Sequence, residues 1–298
     1  MHLTAFTVHR RDHEGMSVER QDPVTGVLVQ APNLTGKPLP SATRVDITER
    51  AACPLCLMSE TNDGFQMFDG EVSRPVLDHL GRFSAVMNRW PVLPGPAEMI
   101  IGDEHVTSLE AMSPENATDM LLLLDRRYRA LAQEFKSVAA FMNVGAGSGG
   151  SLPHVHAQIV ASPSPSGEYL ARCSTRVGVQ HDIEIAREVG LIVIEDDRGI
   201  AWVAYAPSAS LELRVSGLSV TGGASLAAEM VRTIGSVVCW PYNLVWHGGD
   251  QPFVQWLARI DSGRVYPDIF ERIIAQDPFV FASELKKAHV AGALLPGS

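Results

Sequence analysis

Two histidines and a glutamine alternate in Leu152-Pro-His154-Val-His156-Ala-Gln158, directly after a segment that holds Gly145, Gly147, Gly149 and Gly150 with Ser148. Strand side chains alternate faces, so if this stretch is extended, His154, His156 and Gln158 share one side, and Val155, Ala157 and Ile159 the other. Two imidazoles and an amide then point into one site. An imidazole titrating near its ordinary pKa of about 6.5 keeps a useful free-base fraction at neutral pH and is a competent nucleophile at phosphorus. Gln158 can donate to a phosphoryl oxygen where charge develops, and closely spaced glycines let backbone N–H groups approach an anion. The combination suits phosphate chemistry. The glycine run is not a P-loop, because no Gly-Lys-Ser/Thr follows, and it opens a strand rather than the helix of a dinucleotide fingerprint. Taken alone it could be only a flexible connection.

Cys53-Pro-Leu-Cys56 has the two-residue spacing with which paired thiolates grip a zinc ion, and His154 or His105 could complete a tetrahedral set. A pair of ordinary reduced cysteines near a turn is the plainer reading. A redox dithiol is a third, weakened because the motif does not sit between the strand and helix of a thioredoxin-like unit.

These residues need elements to position them. Turn chemistry at Asp22-Pro-Val-Thr-Gly26 and the apolar Val27-Leu-Val-Gln lead into a loop over 31–41. Two short strands are predicted over 82–88 and 98–102, separated by Pro91, Pro94, Gly95 and Pro96. Ser113-Pro-Glu-Asn116 sets a capping residue before proline at the first helical position, and Met120, Leu121, Leu124, Tyr128 and Leu131 follow at helical spacing. Strands over 139–144 and 152–161 complete a β-β-α-β-β order. After a break at Pro163, Pro165, Ser166 and Gly167, strands over 191–195, 200–206 and 211–215, a helix over 224–238, and strands over 242–247 and 253–260 repeat that order. A duplication whose second half lost its His-x-His is the reading.

With 298 residues and 46% apolar content, the chain reads as a globular protein of two ordinary domains. Its apolar stretches fall short of the roughly twenty residues that span a bilayer, and residues 1–14 lack the apolar core of a signal peptide. No membrane partner is expected, and the cytoplasm is the expected location. The formal charge of −10 argues against nonspecific nucleic-acid binding, whereas a small phosphorylated ligand needs only a few local donors. Four cysteines in such a chain are not expected to form a disulfide framework.

Arg20-Gln-Asp-Pro-Val-Thr-Gly26, Cys53-Pro-Leu-Cys56, Asn88-Arg-Trp-Pro-Val-Leu93, Asn143, Ser151-Leu-Pro-His154-Val-His156-Ala-Gln158 and Pro241-Tyr-Asn-Leu-Val-Trp-His247 together resemble the galactose-1-phosphate uridylyltransferase family of the histidine-triad superfamily. The resemblance covers most of the chain. It implies an α+β protein of two histidine-triad-like domains, each an antiparallel sheet with packed helices: a catalytic domain over 1–170 and a degenerate one over 171–298. It further implies that His156 is the nucleophile, taking a nucleoside monophosphate from a nucleotide sugar or other nucleoside diphosphate conjugate as a nucleotidyl-histidine and passing it to a sugar phosphate or phosphate in ping-pong order. Cys53, Cys56, His105 and His154 would hold a structural zinc. Ser151, Asn143 and Gln158 would contact the transferred phosphoryl group, with Gly149 and Gly150 beside it, and Asn88 the nucleoside end. A homodimer is implied as well. The superfamily's hydrolases carry a third histidine where Gln158 stands, so a glutamine there favours transfer over release to water. A hydrolase using the same histidine and a noncatalytic nucleotide-binding protein are the rival readings.

The chain also departs from the family. Where an Arg-rich phosphate-binding segment is normal, it reads Pro32-Asn-Leu-Thr-Gly-Lys37-Pro, leaving Lys37 and Arg20 as substitutes. Some members build a second metal site from the histidine matching His247 and a later His-x-His; this chain has Leu257-Ala-Arg259 there, and no second metal is expected.

Overall fold

Residues that alternate between a helix-covered face and a second face build the strands of one large sheet. The computed structural model describes residues 18–21, 28–31, 53–59, 65–66, 73–74, 76–88, 95–135, 137–150, 152–162, 176–205, 207, 209, 211–248, 252–259 and 277–293. The first half contains β1 (Val18–Gln21), β2 (Leu28–Ala31), α1 (Pro54–Ser59), β3 (Phe65–Gln66), β4 (Ser73–Arg74), β5 (Val76–Leu80), β6 (Phe83–Met87), β7 (Ala97–Gly102), α2 (Pro114–Glu134), β8 (Ser137–Val144) and β9 (His156–Ser162). The second contains α3 (Arg176–Glu188), β10 (Ile192–Asp196), β11 (Gly199–Val203), β12 (Glu212–Gly217), α4 (Val220–Val237), β13 (Tyr242–His247), β14 (Phe253–Ala258) and α5 (Pro278–Ala293).

Ten strands form one antiparallel sheet in the order β10-β11-β12-β14-β13-β8-β9-β7-β6-β5. Read outward from its middle, each half has the same connectivity: three strands in a meander, a helix, then two strands of which the later inserts beside the third. The predicted repeat of element order is therefore present in the topology. The equivalent strands β8 and β13 pair antiparallel, from Val144 opposite Tyr242 to Ala140 opposite Trp246, and so relate the halves by a two-fold-like turn.

In β8 the even-numbered residues Val138, Ala140, Met142 and Val144 are buried and the odd-numbered ones half-buried. The even set meets Met120, Leu121 and Leu124 of α2 in a core that continues through Leu226 and Met230 of α4 and Phe281 and Leu285 of α5. Full burial of each such side chain is worth about 1.5–3 kcal/mol. Ser113 caps α2 as its sequence predicts, its hydroxyl accepting from the Asn116 amide at 3.1 Å, with Pro114 in the first turn. A smaller cluster of Cys53, Leu55, Cys56, Val86 and Ile101 packs separately from this core. Among the described residues no helix is long and apolar enough to cross a membrane.

Three helices, α1, α3 and α5, and the strands β1, β3, β4 and β5 had no counterpart in the sequence reading. The predicted strand over 152–161 is corrected: β9 starts at His156. Pro153 has no amide proton to give a ladder, and His154 stands before the strand in a bend. The break at residues 163–167 lies outside the described residues.

Candidate active site and metal centre

Because His154 is not part of β9, its ring is released from the alternation and turns toward the cysteines. Cys53 precedes α1 and Cys56 sits in its first turn, three residues on, which brings both sulfurs to one side of the helix. His105 comes from the segment after β7 and His154 from the segment before β9. One ligand atom from each of these four residues lies within 4.8 Å of all the others. Tetrahedral zinc with ordinary Zn–S and Zn–N bonds sets its ligand atoms about 3.3–3.8 Å apart. Here His154 Nδ1 lies 3.5 Å from Cys53 Sγ and 3.3 Å from Cys56 Sγ, and His105 Nδ1 lies 3.3 Å from Cys56 Sγ. Two sulfurs and two imidazole nitrogens converging in a buried cluster can hold a metal ion, and this donor set suits zinc.

His156 opens β9 and is 4% exposed. Its Nδ1 lies 2.8 Å from the carbonyl oxygen of His154. A carbonyl can only accept, so Nδ1 carries the proton and Nε2 bears the lone pair. Burial pushes the pKa of the ring below its ordinary value and the bond to the His154 carbonyl pulls it partly back, so the neutral form prevails at neutral pH. The Gln158 amide nitrogen is 3.4 Å from Nε2. His156 is thus outside the Cys–His cluster but tethered to it, since the carbonyl that orients the ring belongs to His154, one of its four residues.

The glycine segment connects β8 to this region. Gly145 and Gly149 have φ of 81° and 91°, in the range where a side chain is strained. The Ser148 hydroxyl donates to the Gly145 carbonyl at 2.8 Å, and a Cβ on Gly150 would come within 2.9 Å of the Asn143 carbonyl. Asn243 of β13 donates from one Nδ2 to Asn143 Oδ1 at 2.6 Å and to the Ser148 carbonyl at 2.9 Å. Asn243 in turn accepts from Arg259 Nε. Neither Asn243 nor Arg259 was singled out as a site residue by the sequence; the signal was the odd-numbered face shared by Asn143 and Asn243, visible only once β8 pairs with β13.

The structure therefore brings Cys53, Cys56, His105 and His154 into one cluster and His156 and Gln158 into another beside it, with Asn143, Gly149 and Gly150 in and around the glycine segment. Asn88 directly follows β6, which lies one strand beyond β7 from β9, and its amide donates to the Ala97 carbonyl at 2.7 Å. Arg20 falls on β1, its side chain beyond what is described; Ser151 and Lys37 lie outside the described residues. A cavity of about 410 Å³, lined by Arg198, Glu229, Arg232 and His289 among others, belongs to the helical face and shares no residue with the imidazole site.

Residues 42–163 match the family model described as the N-terminal domain of DUF4931, a domain of unknown function. No curated protein sequence matches the chain. Among solved structures, a uridylyltransferase is similar at 18% identity over 93% of this chain and 99% of that one, with a TM-score of 0.64. An ADP-glucose phosphorylase from Arabidopsis thaliana, solved with bound ADP-glucose, is similar at 18% identity over 90% and 98%, with a TM-score of 0.61. A DUF4931 family protein from Bacillus cereus ATCC 10987 is similar at 17% identity over 72% and 99%, with a TM-score of 0.54. The chain has the α+β fold of the uridylyltransferases, as its sequence motifs imply.

Proposed function

We propose that this chain is a nucleotidyltransferase or nucleotide phosphorylase of the galactose-1-phosphate uridylyltransferase kind, moving a nucleoside monophosphate from a nucleotide sugar or similar conjugate to a sugar phosphate or phosphate. Residues 1–170 form its catalytic domain and 171–298 the degenerate one, and it acts as a cytoplasmic homodimer. The observation that carries the reading is the tautomer of His156: with Nδ1–H bound to the His154 carbonyl, the remaining lone pair on Nε2 is unprotonated and lies beside an amide donor. In the first step Nε2 attacks the α-phosphorus; the N–P bond forms as the P–O bond to the sugar phosphate breaks, and the leaving oxygen departs with the electron pair. In the second an oxygen of the acceptor attacks the same phosphorus and the N–P electron pair returns to Nε2. Gln158 donates to a phosphoryl oxygen as charge builds. When bound at Cys53, Cys56, His105 and His154, zinc supplies rigidity, fixing the residue whose carbonyl aims the nucleophile.

The fold of ADP-glucose phosphorylase and uridylyltransferase, and the Gln158 that replaces a third histidine, support transfer over hydrolysis. Incubation with UDP-glucose or ADP-glucose labelled at the α-phosphorus is expected to leave an acid-labile, base-stable label on the protein, and none on His156→Ala. Release of that label by phosphate or a sugar phosphate, faster than by water alone, identifies the transferase. A wild-type protein that takes no label, or a His156→Ala variant that takes as much, overturns the covalent route.

A further inference from the structure

The transferred phosphoryl group is an anion, and among the described residues the groups beside His156 are neutral donors. Two thiolates would balance a zinc ion, Gln158 and the glycine segment offer only amides, and Arg20 and Lys37 have no described side chains. A cation of the second half is nevertheless bound to the row of polar side chains that leads to the site. Arg259 follows β14, its amide donating to the Pro241 carbonyl at 2.7 Å so that it continues the β13–β14 pairing. Phe253, Gln255 and Leu257 of β14 face the side of the sheet that carries Asn243, and Arg259 is next in that alternation. Its Nε donates to the side-chain oxygen of Asn243, which is 4% exposed and holds both Asn143 and the Ser148 carbonyl.

Asn143 stands one register step beyond the Met142–Ala157 pair, beside His156. The row from Asn243 to Asn143 to His156 thus crosses two strand spacings, about 10 Å of backbone, a gap that a guanidinium and an imidazole-bound phosphoryl group can fill together. Arg259 is exposed, and no ion pair engages it among the described residues. With Nε committed to Asn243, both Nη groups keep their protons in the planar fork that matches phosphate oxygens.

We propose that Arg259 is a catalytic residue of the nucleotidyl transfer: its Nη groups bind the nonbridging oxygens of the phosphoryl group carried by His156, and Asn243 is the positioning residue that aims them. The second half thereby completes the site of the first. This rests on the His156 reading, and the test separates the two. With α-phosphorus-labelled UDP-glucose or ADP-glucose, Arg259→Ala is expected to label at least 100-fold more slowly than wild type. Added guanidinium should restore at least tenfold of that rate, which a merely structural arginine would not show, and Arg259→Lys should fall between. Asn243→Ala should lower kcat by more than tenfold while wild-type guanidinium insensitivity persists. Arg232→Ala, on α4, should label at the wild-type rate. A wild type that labels alongside an Arg259→Ala variant within threefold of it overturns the Arg259 assignment and leaves the His156 reading intact. If wild type takes no label, the His156 reading falls, and calorimetric binding of UMP and AMP decides: weakening of tenfold or more in Arg259→Ala supports the phosphate contact, and equal affinity refutes it.

Discussion

On the first half of the sheet, the face that carries His156, Gln158 and Asn143 is loosely tied: His156 Nε2 meets the Gln158 amide nitrogen at 3.4 Å, and the glycine segment is held through the Ser148 hydroxyl and the Asn243 amide. On the second half the same face carries a closed set. His247 donates from Nε2 to Gln255 Oε1 at 2.8 Å, Gln255 donates to Glu212 at 2.5 Å, and Arg214 bridges Glu212 at 2.6 Å and Asp182 of α3 at 2.7 Å. Trp202 donates to the same Asp182 carboxylate. One topology therefore carries two arrangements, a dense polar network in one half and a sparser one in the other, where the proposed transfer takes place. Glu212 is wholly buried, so its charge must be matched internally, whereas the neutral ring of His156 makes no such demand.

The largest break in that contrast comes at the metal. Cys53→Ser is expected to lose zinc and stability together, because structural zinc binding is folding free energy on the order of 10 kcal/mol. It should also abolish labelling of the intact His156, whose orienting carbonyl is on His154. Metal analysis beside thermal unfolding checks this; full zinc content in the variant would refute the ligand set. Next in size is Arg214→Met, which removes the cation that Glu212 and Asp182 share and should cost about 3–5 kcal/mol by urea unfolding. Labelling of His156 per folded molecule should stay within threefold of wild type. A much slower rate would show that the closed network acts on the chemistry and not only on the fold.

How much of this was legible in the sequence follows from what each feature depends on. Local patterns were enough for the capped α2 and for the repeated strand order, and, once their motifs were set against a family, for the grouping of Cys53, Cys56, His105 and His154 that the structure shows. Features fixed by distant pairing were not. The turning of His154 away from β9 depends on cysteines about a hundred residues earlier, and Asn243 meets Asn143 only because the halves join through β8 and β13. Arg259 reads in the sequence as a lost metal ligand and becomes a candidate phosphate contact only when its bond to Asn243 is seen. The helix α5 went unread because its apolar residues are poorly segregated, leaving Phe279, Val280 and Val290 exposed while Phe281 and Leu285 are buried.

Smaller effects sharpen the role of the glycine segment. An alanine at either Gly145 or Gly149 must adopt a positive φ, costing about 1–2 kcal/mol. At Gly149 nothing lies within 4 Å of the added methyl, but at Gly145 it would meet Pro241 Cα at 3.2 Å. Gly145→Ala should therefore be the less stable variant by urea midpoint, and equal midpoints would mean that the contact between the segment and the start of β13 is loose. Gly149→Ala should instead show its effect in slower labelling of His156, if its amide faces the phosphoryl group.

The smallest effect is a pH dependence confined to the closed half. Burial lowers the pKa of His247, opposed by its bond to Gln255, and its Nδ1 has no hydrogen-bond partner. A histidine with a lowered folded pKa binds fewer protons when folded than when unfolded, so its contribution to stability is present above the unfolded value and lost as pH falls through that value toward the folded one. At one pH unit below the ordinary value of about 6.5 the loss is at most about 1.4 kcal/mol. His247→Gln removes the titration while keeping a polar side chain of similar length, at the expense of the ring stacked on Phe253 with centroids 4.3 Å apart. Urea unfolding at pH 8 and pH 5.5 should show wild type losing more stability between the two than the variant does, whatever their absolute difference. Equal losses would mean that acid reaches His247 without cost and that the polar network of the second half is not closed to protons.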